Sequence, residues 1–486
     1  MLIGVIMNPY YVSKLGAEAY GLIAFFSILT VWMNLLDLGM TPTLGREVAV
    51  ARTKYNGISD LRKLLRSFEI IFITISIFVF SIFFYFQNWL STKWINAIIL
   101  STEEISKSIV LMGALIGLRW LSSLYRSVII GFEFHVSLNI INIFFSTFKF
   151  VGVIALFAFL NTNIYTFFIY QLILGLIEAF FLMFFVYKLM PEKNIKLPIV
   201  SFYWVKIKNI IPFSLSMAYS SVVWIFVSQV DKLALSGILS LKEFGYFNLV
   251  VVIASTMNVL SNPISQAVLP RMAYLFSKKN LDTMLDLYKS TTQLITLISV
   301  SVTIIVALYP EQIIYAWTGN KEAAIWSKNV LFWYALGSGV LSILSFQHYL
   351  QVAIGQLKLQ VIGGTITLLI DVPVIIFVSM NFGAENTGMV WFFLRILWFL
   401  IWTPFIHNKY FPGLHLKWLL NDVLKITLSI IISAILLRIL FPLKMTTRFN
   451  IFSHLILIGI VVFFVGSLSS NFIRKKAIYY LKFNFT

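Results

Sequence analysis

Residues Lys14 to Arg52 read KLGAEAYGLIAFFSILTVWMNLLDLGMTPTLGREVAVAR. An LG-x3-YG turn (Leu15, Gly16, Tyr20, Gly21) leads into an apolar span that carries one acid, Asp37, and closes in a basic segment at Arg46 and Arg52. This is the end of one membrane span, a tight outer turn and the whole of the next span. A weaker echo of it returns halfway along the chain.

Composition agrees with that reading. The chain of 486 residues is 59% apolar, 16% aromatic and 12% charged, with a mean hydropathy of +0.90, whereas a soluble domain carries about 25% charged residues. It is therefore read as an all-α polytopic membrane protein. A hydrocarbon core about 30 Å thick takes about 20 residues of helix, and the apolar runs are too long for barrel strands. The net charge of +18 follows from the positive-inside rule and implies no nucleic-acid partner. Without cysteine there is no disulfide, thiolate nucleophile or thiolate metal site.

About fourteen spans are expected, at 1–13, 20–44, 68–90, 108–130, 136–160, 164–187, 209–237, 244–269, 291–309, 328–347, 359–380, 388–407, 422–441 and 451–473. The first is short or truncated, because Asn8 and Pro9 soon interrupt its apolar run. On alternate sides of these spans stand twenty-two and nine lysines and arginines. The richer side is cytoplasmic, and with it the C-terminus.

An internal repeat appears at an offset of 224: Gly21 matches Gly245, Ala49 matches Ala273, Tyr125 matches Tyr349 and Gly131 matches Gly355. Six spans lie within the offset, so both halves enter the membrane in the same sense. The expected organisation is two pseudo-symmetric six-helix lobes around a central cavity, 1–193 and 209–415. A cytoplasmic linker at 194–208, an additional helix pair at 422–473 and a basic cytoplasmic tail at 474–486 complete it. Amphipathic basic segments at Asn56 to Ser67 and Lys278 to Ser290 occupy matching inner positions, as interfacial helices or as solvated connectors.

Ionisable residues inside a bilayer are costly and usually face a cavity or a partner. Arg119 and Arg126 lie two turns apart on one face of the fourth span, Lys149 midway along the fifth and Arg395 early in the twelfth. Guanidinium forks suit phosphate oxygens, so these four are candidate substrate-binding cations. Asp37, Glu178 and Asp371 are candidate coupling acids for H+ or Na+, or structural partners of the bases. Asp231 and Lys232, adjacent in sequence, are expected on different helix faces and so not to neutralise each other. Gly113-x3-Gly117 reads as a packing motif. No P-loop, HExxH or DxD occurs and the histidines form no ligand-spaced cluster, so neither a bound nucleotide nor a metal is expected. Nor is there an outer loop long enough for a catalytic domain.

LGAEAYG, LLDLG and REVA within Lys14 to Arg52 resemble the N-terminal signature of bacterial polysaccharide (O-antigen type) flippases of the multidrug/oligosaccharidyl-lipid/polysaccharide exporter superfamily. PFSLSM (Pro212 to Met217), QVDKLALSGILS (Gln229 to Ser240) and FGYFNL (Phe244 to Leu249) resemble the opening of that family's second lobe. The resemblance runs to about residue 415. It places Asp37, Arg46, Glu47, Asp231 and Lys232 on family-motif positions. It implies a non-enzymatic transporter of the bacterial inner membrane that flips undecaprenyl-diphosphate-linked oligosaccharide by alternating access, for O-antigen or lipopolysaccharide synthesis, with other glycan-assembly membrane proteins as partners. The alternatives are an ion-coupled drug or organic-cation exporter of the same architecture, a membrane polysaccharide polymerase or ligase, and a scaffold in a glycan-assembly complex.

Overall fold

The computed structural model describes residues 2–52, 57–160, 163–190, 202–443 and 445–474. Among them the regular structure is helical, apart from one isolated bridge between Asn96 and Ser240. In chain order the helices are α1 (Leu2–Leu15), α2 (Ala17–Met33), α3 (Met40–Ala51), α4 (Gly57–Trp89), α5 (Thr102–Gly131), α6 (His135–Phe150), α7 (Gly152–Phe159), α8 (Ile164–Leu189) and α9 (Trp204–Ser236). There follow α10 (Leu241–Ser277), α11 (Leu281–Leu308), α12 (Pro310–Thr318), α13 (Lys321–Ala353), α14 (Lys358–Tyr410), α15 (Leu414–Trp418), α16 (Lys425–Leu440) and α17 (Arg448–Ser469).

Eleven helices or joined helices among the described residues are long and apolar enough to cross a bilayer. One of them, α14, is broken at Gly383, whose φ of 74° lies in the left-handed region, so it supplies two of the expected spans. With the 33-residue α9 and the short α1, helical structure covers each of the fourteen expected spans, two of them in more than one piece. At 14 residues, α1 rises only about 21 Å, less than the hydrocarbon thickness.

Two local expectations change. The span expected at 20–44 is not continuous: Asn34–Asp37 tightens into a 3-10 turn, Leu38 and Gly39 take φ of 47° and 71°, and α3 starts afresh at Met40. The LDLG motif is thus a helix break. The basic segments from Asn56 and from Lys278 are not separate interfacial helices either, because their described parts from Gly57 and Leu281 onward are the first turns of α4 and α11.

The repeat offset is visible in the elements. α4 begins at Gly57 and α11 at Leu281, 224 residues later, and α2 at Ala17 answers α10 at Leu241. The chain separates into two compact units, Met1–Gly245 and Tyr246–Thr486. The boundary falls later than the proposed linker because α9 packs on α2, α3 and α4 of the first unit. Linker residues 194–201 and tail residues 475–486 lie outside the described residues.

In the first unit, α5 is the central helix, packed on α3, α4 and α8. Gly113 and Gly117 let α4 approach: a Cβ on them would sit 2.8 Å from Phe83 Cβ and 2.9 Å from Ser76 Cβ. In the second unit, α11 and α13 pack together and the C-terminal pair α16–α17 covers α11. That pair is joined by a buried polar link as well as by apolar packing. Gln293 donates to Asp422 at 2.6 Å, and its carbonyl oxygen accepts from the Ser470 hydroxyl at 2.7 Å and the Phe472 amide at 2.9 Å.

Candidate functional site

Among the described residues of the apolar spans, four ionisable side chains gather in the first unit, where α5, α6 and α8 meet. Glu178, 4% exposed and near the middle of α8, bridges two bases: one carboxylate oxygen takes Arg126 and the other takes Lys149. Arg126 also donates to Asn142 on α6. Arg119, two turns from Arg126 along α5, lies within electrostatic reach of both Glu178 and Lys149. It has no carboxylate at ion-pair distance among the described residues. Instead it donates to Thr30 Oγ1 at 3.2 Å, and its guanidinium sits 4.4 Å from the Phe26 ring centroid. Three bases and one acid leave the cluster with a formal charge of +2.

Lys149 stands where the helix of the fifth span is interrupted at Val151. α6 ends at Phe150 and α7 starts at Gly152, a break that frees carbonyls in a place where water cannot satisfy them. Side chains take that role: Tyr170 donates to the Phe148 carbonyl at 2.7 Å, Gln171 to Lys149 at 2.8 Å and Tyr11 to Phe150 at 3.0 Å. Neighbouring helices thereby fix the backbone that presents Lys149. Sequence reading missed this interruption, and with it Asn142 and Gln171. The polar residues Asn142, Tyr170 and Gln171 flanking an apolar run were the available signal.

Among the described residues the second unit has no counterpart. At the repeat offset, Arg119, Arg126, Lys149 and Glu178 correspond to Ile343, Leu350, Pro373 and Trp402. Its own embedded pair is Asp371 with Arg395, 3.3 Å apart and 0% and 4% exposed. Trp398 Nε1 donates to Asp371 at 3.2 Å, and Arg395 lies 5.4 Å from the Trp391 centroid. Arg395 is therefore a buried, neutralised cation rather than an open one.

The other sequence candidates are structural in their contacts. Asp37 accepts from the Thr41 amide at 3.2 Å and from the Thr41 hydroxyl, capping α3 just past the helix break. Arg46 pairs with the adjacent Glu47 at 2.8 Å. Asp231 and Lys232 do pair, at 3.2 Å, against the expectation that adjacent residues would diverge. Four methylenes let the Lys232 ammonium curl back to Asp231 and to the Ser228 carbonyl.

Two buried acids were not singled out. Glu18 accepts three consecutive amides, from Ile98, Ile99 and Leu100, each at 2.9 Å, which shapes the turn before α5. Glu69 accepts from the Tyr125 and Tyr187 hydroxyls at 2.8 and 2.9 Å. His407 and His415 also meet, 3.2 Å apart. No group of three or more His, Cys, Asp or Glu among the described residues has a metal-binding arrangement.

A family model for the polysaccharide biosynthesis protein family matches residues 1–276, more than half of the chain. No curated protein matches the sequence. Three solved structures share the fold. The lipid II flippase MurJ is 17% identical, with 96% of this chain and 95% of that one covered and a TM-score of 0.67. An inward-facing multidrug-resistance MATE family transporter of the MOP superfamily is 15% identical, with 84% and 96% covered and a TM-score of 0.65. A MOP superfamily transporter from Pyrococcus furiosus is 16% identical, with 84% and 92% covered and a TM-score of 0.52. The chain is a multi-pass membrane protein with the MOP superfamily fold, and it belongs to the polysaccharide biosynthesis protein family.

Proposed function

We propose that this protein moves an undecaprenyl-diphosphate-linked oligosaccharide from the inner to the outer leaflet of a bacterial plasma membrane by alternating access. The observation that carries the reading is the +2 cluster of Arg119, Arg126 and Lys149 around Glu178. A diphosphate has the complementary charge, and two guanidinium forks and an ammonium offer it directional donors. Family membership supports a role in polysaccharide synthesis. Arg395, paired with Asp371, takes no part, and Glu178 is the counter-ion that a bound diphosphate displaces.

With the cytoplasmic side negative, an anion moving outward gains about 2.3 kcal/mol per charge per 100 mV, so a diphosphate gains roughly 4 to 5 kcal/mol without nucleotide hydrolysis. The same cationic excess disfavours the alternative of an organic-cation exporter. Proteoliposomes loaded with a labelled diphosphate-linked sugar test the proposal. Transfer is expected in the wild type, is lost in Arg119→Ala and is partly kept in Arg119→Lys. Undiminished transfer in Arg119→Ala would remove the cluster from the mechanism.

A further inference from the structure

A second group of cations lies near the start of α4. This helix has 33 residues and rises about 50 Å, against a hydrocarbon core of about 30 Å. Its first turns therefore reach headgroup depth, on the side that the charge bias assigns to the cytoplasm. Arg62 and Arg66, one turn apart, both lie over the ring of Tyr187, at 5.7 and 4.8 Å from its centroid, and Lys63 Nζ lies 5.8 Å from that of Tyr203. The two tyrosines are themselves anchored. The Tyr203 amide donates to Ser67 Oγ at 2.9 Å, and the Tyr187 hydroxyl donates to Glu69, which also pairs with Arg66 at 3.3 Å. Cations held over aromatic faces are positioned in advance for an anion.

The topology rule alone does not explain this group. α11 begins at the equivalent position of the second repeat, yet it carries Asp286, Leu287 and Ser290 where α4 carries Arg62, Lys63 and Arg66. We propose that the inner end of α4 is a binding site for a lipid-borne phosphoryl group, recognised by Arg62 and Lys63 braced on Tyr187 and Tyr203, with Arg66 held beside them by Glu69. Two sources share that chemistry at this depth: the phosphodiester of an anionic phospholipid and the diphosphate of a polyprenyl carrier. The proposal does not depend on the role assigned to Arg119.

The test is thermal unfolding of the purified full chain in detergent, titrated with phosphatidylglycerol, phosphatidylcholine of the same acyl chains, or undecaprenyl diphosphate. A background of Arg119→Ala with Lys149→Met isolates the α4 site. Phosphatidylglycerol, undecaprenyl diphosphate or both are expected to stabilise the protein, and whichever does so identifies the source; phosphatidylcholine is not. Arg62→Gln combined with Lys63→Gln should weaken the apparent affinity by about tenfold. Arg62→Lys with Lys63→Arg should retain it and so exclude a folding defect. Lys278→Gln with Lys279→Gln, two other lysines on the same side, should leave it unchanged. Equal stabilisation by phosphatidylcholine, an unaltered affinity in the glutamine pair, or an equal loss in the Lys278 and Lys279 pair would overturn the site.

Discussion

Gly21 packs on the carbonyl of Leu241 so closely that a Cβ there would sit 2.0 Å from the oxygen. The relationship is reciprocal, because a Cβ on Gly245 would sit 2.6 Å from the carbonyl oxygen of Ala17. Ala17 with Leu241, and Gly21 with Gly245, are the residues that the 224-residue offset equates. The start of α2 therefore meets the start of α10 as self-complementary surfaces do, and glycine on each side lets the backbones touch.

Any side chain at Gly21 must displace backbone. Gly21→Ala and Gly245→Ala are each expected to destabilise the protein by about 1 to 3 kcal/mol or more, as overpacked sites do. Melting of the detergent-solubilised variants measures this, and an unshifted midpoint in Gly21→Ala would mean that the helices do not cross so closely.

Glu178 is the carboxylate that Arg126 and Lys149 share. Replacing it by Ala leaves two bases partly buried without that counter-charge, at a cost of about 3 to 5 kcal/mol. A second substitution, Lys149→Met, should recover part of that loss. A double-mutant cycle in thermal stability reads the coupling, and strictly additive effects would contradict the bridge.

The Asp371 and Arg395 pair should behave differently from Arg119. Arg395→Met alone strands a buried carboxylate and lowers stability, whereas Asp371→Leu with Arg395→Met restores it. Transport should follow stability in this series. Arg119→Ala should instead lose transport with its melting temperature nearly unchanged. Loss of transport in a fully stable double variant, Asp371→Leu with Arg395→Met, would give the pair a direct role.

The C-terminal pair should loosen when its polar link is cut. Gln293→Leu takes from the buried Asp422 carboxylate and the Ser470 hydroxyl the partner that joins them, an expected cost of about 1 to 3 kcal/mol. Limited proteolysis should then cut near Ser470 faster than in the wild type. Equal cleavage rates would show that apolar packing alone holds α17.

The helices were legible because twenty-residue apolar runs have few alternatives in lipid, and Gly21 and Gly245 stood out because their close packing restricts those positions. Arg119, Arg126, Lys149 and Glu178 could be found one by one as charges in apolar runs. Their grouping could not, since which base meets which acid depends on how α5, α6 and α8 pack. The pairing of Arg395 with Asp371 was hidden for the same reason. The break at Leu38 and Gly39 was obscured by the apolar residues around it, and the partnership of Asp231 with Lys232 by side-chain flexibility that helix geometry alone does not capture.

Recognition of a lipid diphosphate by Arg119, Arg126 and Lys149 is the step on which the transport proposal turns. The most direct measurement is the affinity of the purified protein for undecaprenyl diphosphate against uncharged undecaprenol, in the wild type and in Arg119→Ala with Lys149→Met. With the α4 site silenced by Arg62→Gln and Lys63→Gln in both proteins, preference for the diphosphate is expected while Arg119 and Lys149 are in place, and loss of that preference in the variant. Equal binding of diphosphate and alcohol while Arg119 and Lys149 are in place, or an undiminished preference in the variant, would contradict it.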